Sequence, residues 1–132
     1  MGCESRVFVG WRNHFSTKRN NDKDYAQRLA ILDLSKMGNG FTDIFDKPID
    51  FDMYREGGDT LIKEDDYGDI CKYTTLNKIY KYLKEEIKKG EDYRRLLFFY
   101  SFVKDLKKNK AKWEHKSPDG SYSQLVFVHW GY

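Results

Sequence analysis

The sequence predicts an α+β fold: an antiparallel sheet containing the N-terminal strand and a C-terminal hairpin, packed against a helical hairpin and one further helix. Three observations carry this expectation. Runs rich in β-branched and aromatic residues stand at both ends of the chain, Val7 to Trp11 and Leu125 to His129. Ser117-Pro118-Asp119-Gly120 is a turn sequence with each residue suited to its place. Between the terminal runs lie two successive stretches of helical periodicity separated by Gly90. With 132 residues the chain falls within the usual single-domain range, so residues 1–132 are expected to form one domain.

Taken in order, Val7, Val9 and Trp11 alternate with Phe8, Gly10 and Arg12, as a strand does that is buried on both faces. The polar, basic stretch from Asn13 to Lys23 reads as a loop with a helix cap at Asp22. Tyr25, Leu29, Leu32 and Lys36 then share one helical stripe that Gly38-Asn39-Gly40 would end, with a short strand over Leu29 to Leu34 as the competing reading. From Phe41 to Asp69, breakers at Pro48, Gly57-Gly58 and Gly68 suggest loops with short strands, for instance Thr60 to Lys63. Leu76, Ile79, Tyr80, Leu83 and Ile87 recur at three and four residues, with Thr74 or Thr75 to cap the start and Gly90 to close the end. A second helix runs from Asp92, burying Leu96, Phe99, Tyr100, Val103 and Leu106, with Lys107, Lys108 and Lys110 at its C-terminal dipole. The final hairpin joins Ala111 to Lys116 with Tyr122 to Trp130. Its apolar core segment should be a central strand beside the first.

Aromatic residues make up 17% of the chain and charged residues 34%, so the buried area must come largely from Phe, Tyr and Trp. Two cysteines, outside any CxxC or Cys/His array, are too few for a disulfide framework or a zinc site and are expected to be free thiols in a reducing compartment. The longest apolar run falls far short of the ~20 residues of a membrane span, so no membrane association is expected. Met1-Gly2-Cys3 is followed by Arg6 where the myristoylation pattern requires Ser or Thr.

The charge is divided along the chain. Residues 33–69 hold eleven acidic groups against four basic ones, a balance of −7, and residues 72–112 hold thirteen basic against five acidic, a balance of +8. Lys81, Lys84, Lys88 and Arg95 are therefore candidate binding residues, either as the solvated face of amphipathic helices or as a basic surface for phosphates or an acidic protein. Trp113 and Tyr122 are candidate contact residues if they lie on the open face of the terminal hairpin. For acid/base chemistry the candidates are His14 and His129, which would approach one end of the sheet if the first and last strands pair. No P-loop, GxGxxG, GxSxG or HExxH motif is present, the acids of 43–69 do not match an EF-hand loop, and no metal or cofactor is expected.

The opening Met1-Gly2-Cys3, Ser5 and Val7-Phe8-Val9, with the ending Val126-Phe127-Val128-His129-Trp130-Gly131, resembles a loose group of small uncharacterised phage and bacterial proteins. In these, a start like MG(C/T)xxxVxV is matched by a closing strand ending in HWG. The resemblance covers about twenty residues at the two termini. It implies a phage origin, a sheet that brings the termini together and a place in the bacterial host cytoplasm, and it assigns no functional residue.

These features favour a small non-catalytic binding protein, an inhibitor or accessory factor of a phage or mobile element that acts by protein–protein contact. The alternatives are a nucleic-acid-binding protein using the basic helical surface, and a small hydrolase or nuclease using His14 or His129 with acids of the middle segment.

Overall fold

The computed structural model describes residues 5–14, 25–34, 40–54, 70–91 and 93–131. Along these run β1 (Ser5–His14), β2 (Tyr25–Asp33), a 3-10 turn (Thr42–Ile44), β3 (Lys47–Pro48), β4 (Asp52–Tyr54) and β5 (Lys72–Thr75). They are followed by α1 (Leu76–Lys88), α2 (Arg94–Lys108), α3 (Lys110–Trp113), β6 (His115–Lys116) and β7 (Tyr122–Gly131). Among the described residues no helix is long and apolar enough to cross a membrane.

The sheet order is β3-β5-β7-β1-β2-β4, with β6 added to β7, and every pairing but β2 with β4 is antiparallel. β7 is central because Leu125, Val126, Phe127 and Val128 are all fully buried, and only a strand covered on both faces accommodates four such residues in a row. On one face, Val7, Val9, Leu125 and Phe127 meet Leu76, Ile79 and Leu83 of α1 and Leu96, Phe99 and Val103 of α2. On the other, Phe8, Ala26, Val126 and Val128 pack with Phe51, Met53, Cys71 and Tyr73.

The second face is enclosed by the sheet itself. β3 and β4 lie at opposite ends of the strand order, yet only residues 49–51 connect them. Four residue steps span at most about 14 Å, whereas five strand spacings in a flat sheet would take about 24 Å. The sheet therefore curls so that its edges approach, wrapping Phe51 and Met53 into the second core.

Gly10 sits where Met53 of the wrapped edge comes close. A side-chain carbon there would overlap the terminal methyl of Met53 and lie 3.2 Å from Val126 Cγ2 and 3.4 Å from Ala26 Cβ. Gly10→Ala is expected to cost about 1 kcal/mol because the Met53 end can move, and Gly10→Val about 3 kcal/mol because Val126 and Ala26 cannot. Thermal denaturation checks this, and a Gly10→Val protein as stable as wild type would contradict the packing.

The helix expected over 25–36 is instead strand β2, so the competing strand reading is the nearer one. A β-bulge between Val9 and Gly10 moves the partner from Ala30 to Arg28 and leaves Leu29 as an extra residue. Ala30 and Leu32 consequently face the helices while Ala26 faces the second core. One strand thus buries even-numbered residues on both faces, which hides its period. The further helix of the fold is α3, one turn long, in the segment expected to be the first arm of the hairpin. That arm shrinks to the two residues of β6. The expected cap at Asp22, Lys36 on the helical stripe and the strand at 60–63 lie outside the described residues.

Other local signals hold in part. Thr75 occupies the N-cap position of α1 in extended backbone, without a side-chain capping bond. The Gly90 amide donates to the Ile87 carbonyl and closes that helix. In the terminal turn the Gly120 amide donates to the Ser117 carbonyl at 3.0 Å and Asp119 accepts from the Ser121 amide at 2.9 Å, with Gly120 at a φ of 94° that favours glycine.

Candidate functional surface

An α-helix turns about 100° per residue, so α1 and α2 can each bury one side only. On α2 the buried side is Leu96, Phe99 and Val103. The opposite side carries Arg94, Leu97, Phe98, Ser101, Lys104, Asp105 and Lys108, all exposed. Leu97 keeps 44% of its surface in solvent and Phe98 59%. Ser101, small among large neighbours, lines an open depression of ≈ 470 Å³ together with Phe98, Phe102, Lys104, Asp105 and Lys108. Five consecutive apolar residues, Leu96 to Tyr100, cannot all point inward on a helix with a single buried face. That run was the sequence signal for Leu97 and Phe98, which periodicity alone passed over.

α1 contributes a basic stripe to the same helical hairpin. Asn77, Lys81, Lys84 and Lys88 follow one another at four, three and four residues and are all exposed. Asn77 Oδ1 accepts from Lys107 Nζ at 2.7 Å and from Lys110 Nζ at 3.5 Å, which ties the head of the stripe to α2 and α3. Lys107 also lies 5.2 Å from the Tyr80 ring centre and Lys104 5.8 Å from that of Tyr100, and these two tyrosines meet across the helix seam at 6.0 Å. Lys81, Lys84 and Lys88 therefore share a surface with Lys104 and Lys107. Arg95 does not join them: it is one residue on from Arg94 and so projects about 100° further round, on the Phe102 side of α2.

The remaining candidates are scattered. Trp113 is on α3 rather than on an open hairpin face. It is half-buried edge-on to Trp11 at 5.7 Å, and its carbonyl accepts from Trp11 Nε1 at 2.7 Å and from Ser123 Oγ at 3.0 Å. Its aromatic surface thus anchors the chain leaving α2. Tyr122 is half-buried and stacks on His14 with ring centres 4.9 Å apart. His14 pairs with Tyr122, whereas His129 pairs with Val7, so the two histidines sit at opposite ends of the β1/β7 ladder, not at one end. Seven positions separate them, about 23 Å along the strands, and His129 instead packs on Phe45 at 5.2 Å and Phe41 at 6.2 Å. The register rules out a shared catalytic pair. His115 is exposed on β6, its Nε2 3.2 Å from the Lys112 carbonyl.

One buried polar cluster escaped the sequence reading. The Arg12 guanidinium is inside the curled sheet, where Nη1 donates to the Tyr73 hydroxyl at 3.1 Å and Nη2 pairs with Asp50 at 3.5 Å. It also lies 4.6 Å from the centre of the Phe51 ring. Among the described residues no three His, Cys, Asp or Glu side chains gather as metal ligands. At the 3-10 turn, Asp46 pairs with Lys78 of α1, and hydrogen bonding to that ammonium holds its carboxyl below the usual carboxylate range.

No protein-family model, curated protein or solved structure matches the chain.

Proposed function

We propose that the protein is a non-catalytic inhibitor or accessory factor that acts by protein–protein contact through the outer face of α2. The observation that carries this reading is the exposure of the neighbouring Leu97 and Phe98, with Phe98 lining the Ser101 depression beside Lys104, Asp105 and Lys108. Interfaces are built this way, with apolar or aromatic anchors in the middle and charged groups at the rim. Neither side chain contributes to the core, so the fold gives no reason for both to be large and apolar.

The test is affinity capture of the tagged protein from a nuclease-treated bacterial lysate at low and high salt, beside the Leu97→Ser/Phe98→Ser double variant. A protein retained by the wild type at high salt and lost with the double variant is the expected result. Equal capture by both proteins would reject the α2 face.

A second reading, nucleic-acid binding, is favoured by one observation: Lys81, Lys84 and Lys88 line a single exposed stripe and make no ion pair among the described residues. Three phosphate contacts would make affinity fall with salt at a log–log slope of about −2 to −3. Recovery of nucleic acid with that dependence, abolished by Lys81→Gln/Lys84→Gln/Lys88→Gln, would put this reading first.

A further inference from the structure

We infer that the segment docking on α2 is an acidic amphipathic helix of another protein. The inference rests on the reading that this face binds protein, and it adds the chemistry of the partner.

The shape comes first. Arg94, Phe98, Ser101, Asp105 and Lys108 follow one another at four, three, four and three residues, the spacing of a helix seam that receives a second helix. The small Ser101 side chain leaves an open depression among Phe98, Phe102, Lys104, Asp105 and Lys108, wide enough to admit a large apolar side chain of a facing helix as a knob. Leu97 and Phe98 then lose their contact with water.

Charge decides what flanks that knob. The outer face of α2 carries three cations, Arg94, Lys104 and Lys108, against the single acid Asp105, a balance of +2. The Asn77–Lys88 stripe of α1 adds Lys81, Lys84 and Lys88 on its Lys104–Lys107 side. A second copy of the chain is a poor occupant. Crossed antiparallel over Ser101, Lys108 of one α2 faces Arg94 of the other, and crossed in parallel, Lys104 faces Lys104. Both arrangements bring like charges together around an apolar centre. Glutamates or aspartates on both sides of the partner's apolar stripe satisfy the same cations, speed encounter and reject basic helices. A nucleic acid would satisfy the lysines and leave Leu97 exposed.

The experiment is chemical-shift mapping of the full ¹⁵N-labelled chain with three probes. These are a short helical peptide with leucine along one face and glutamate on both flanks, the same peptide with lysine for glutamate, and a single-stranded DNA oligomer. The glutamate peptide is expected to shift resonances within 94–108, and Phe98→Ser to weaken it roughly tenfold. Because Phe98 is exposed, that variant keeps its fold. Lys104→Glu/Lys108→Glu is expected to transfer binding to the lysine peptide.

If the lysine peptide wins on the wild type, or if the free protein shows concentration-dependent shifts at 94–108, the acidic partner is refuted while protein binding by α2 stands. Shifts at 94–108 with DNA alone would overturn both. Absence of shifts with every probe overturns the inference, and the capture experiment then judges the broader reading by itself.

Discussion

Phe99→Ala is expected to lower stability by about 3–5 kcal/mol, while Phe98→Ala, one residue earlier, changes it by no more than ~0.5 kcal/mol. Phe99 has no exposed surface and its ring joins three elements. It meets Phe41, beside the 3-10 turn, at 6.1 Å and Phe127 of β7 at 6.3 Å. Removing it opens a cavity between α2 and the sheet that neighbours fixed in a strand and a short turn close only in part. A domain of this kind is stable by about 5–15 kcal/mol in all, so the loss is a large fraction and should be plain in urea denaturation. Phe98 has 59% of its surface in solvent, and its truncation removes little packing. Equal losses at the two positions would mean that α2 is rotated relative to the sheet, and would remove the basis for its outer face as a binding surface.

Arg12→Met is expected to cost about 1–3 kcal/mol, and Tyr73→Phe in the same chain to recover part of that loss. The methionine keeps most of the apolar stem that packs inside the curled sheet. It supplies no donor, so the Tyr73 hydroxyl, on a residue 6% exposed, loses the guanidinium that donates to it. Asp50 is mostly in solvent and is rehydrated when its partner goes, so it adds little to the penalty. A double-mutant cycle between positions 12 and 73 isolates the hydrogen bond. A coupling near zero would show that the Arg12–Tyr73 hydrogen bond contributes nothing to stability.

How far the sequence could be read follows from how local each determinant is. β7, α1, α2 and the 117–120 turn were legible because their patterns lie within a dozen residues. β2 reads as a helix because a bulge shifts its register at Leu29, so that Ala26 and Ala30 face opposite ways and a helical stripe fits as well as an alternation. α3 leaves no periodic signal because one turn is too short for it to show, so Trp113 reads as part of a hairpin arm. In the candidate surface, the lysines of α1 were visible from spacing alone. The exposure of Leu97 and Phe98 follows only from knowing which side of α2 the sheet covers. The Arg12 cluster joins residues 61 positions apart, and no local pattern announces it.

The central claim is that the outer face of α2 meets a partner protein. It is tested most directly by a photocrosslinking amino acid placed in turn at Phe98, Lys84 and Ile31 of the intact chain and irradiated in cells. Ile31, 47% exposed on β2, serves as the comparison from a different apolar surface. The account predicts one discrete protein adduct from position 98, a weaker one or none from 84, and none from 31. An adduct from position 31 or 84 with nothing from 98 would place the contact elsewhere and contradict it.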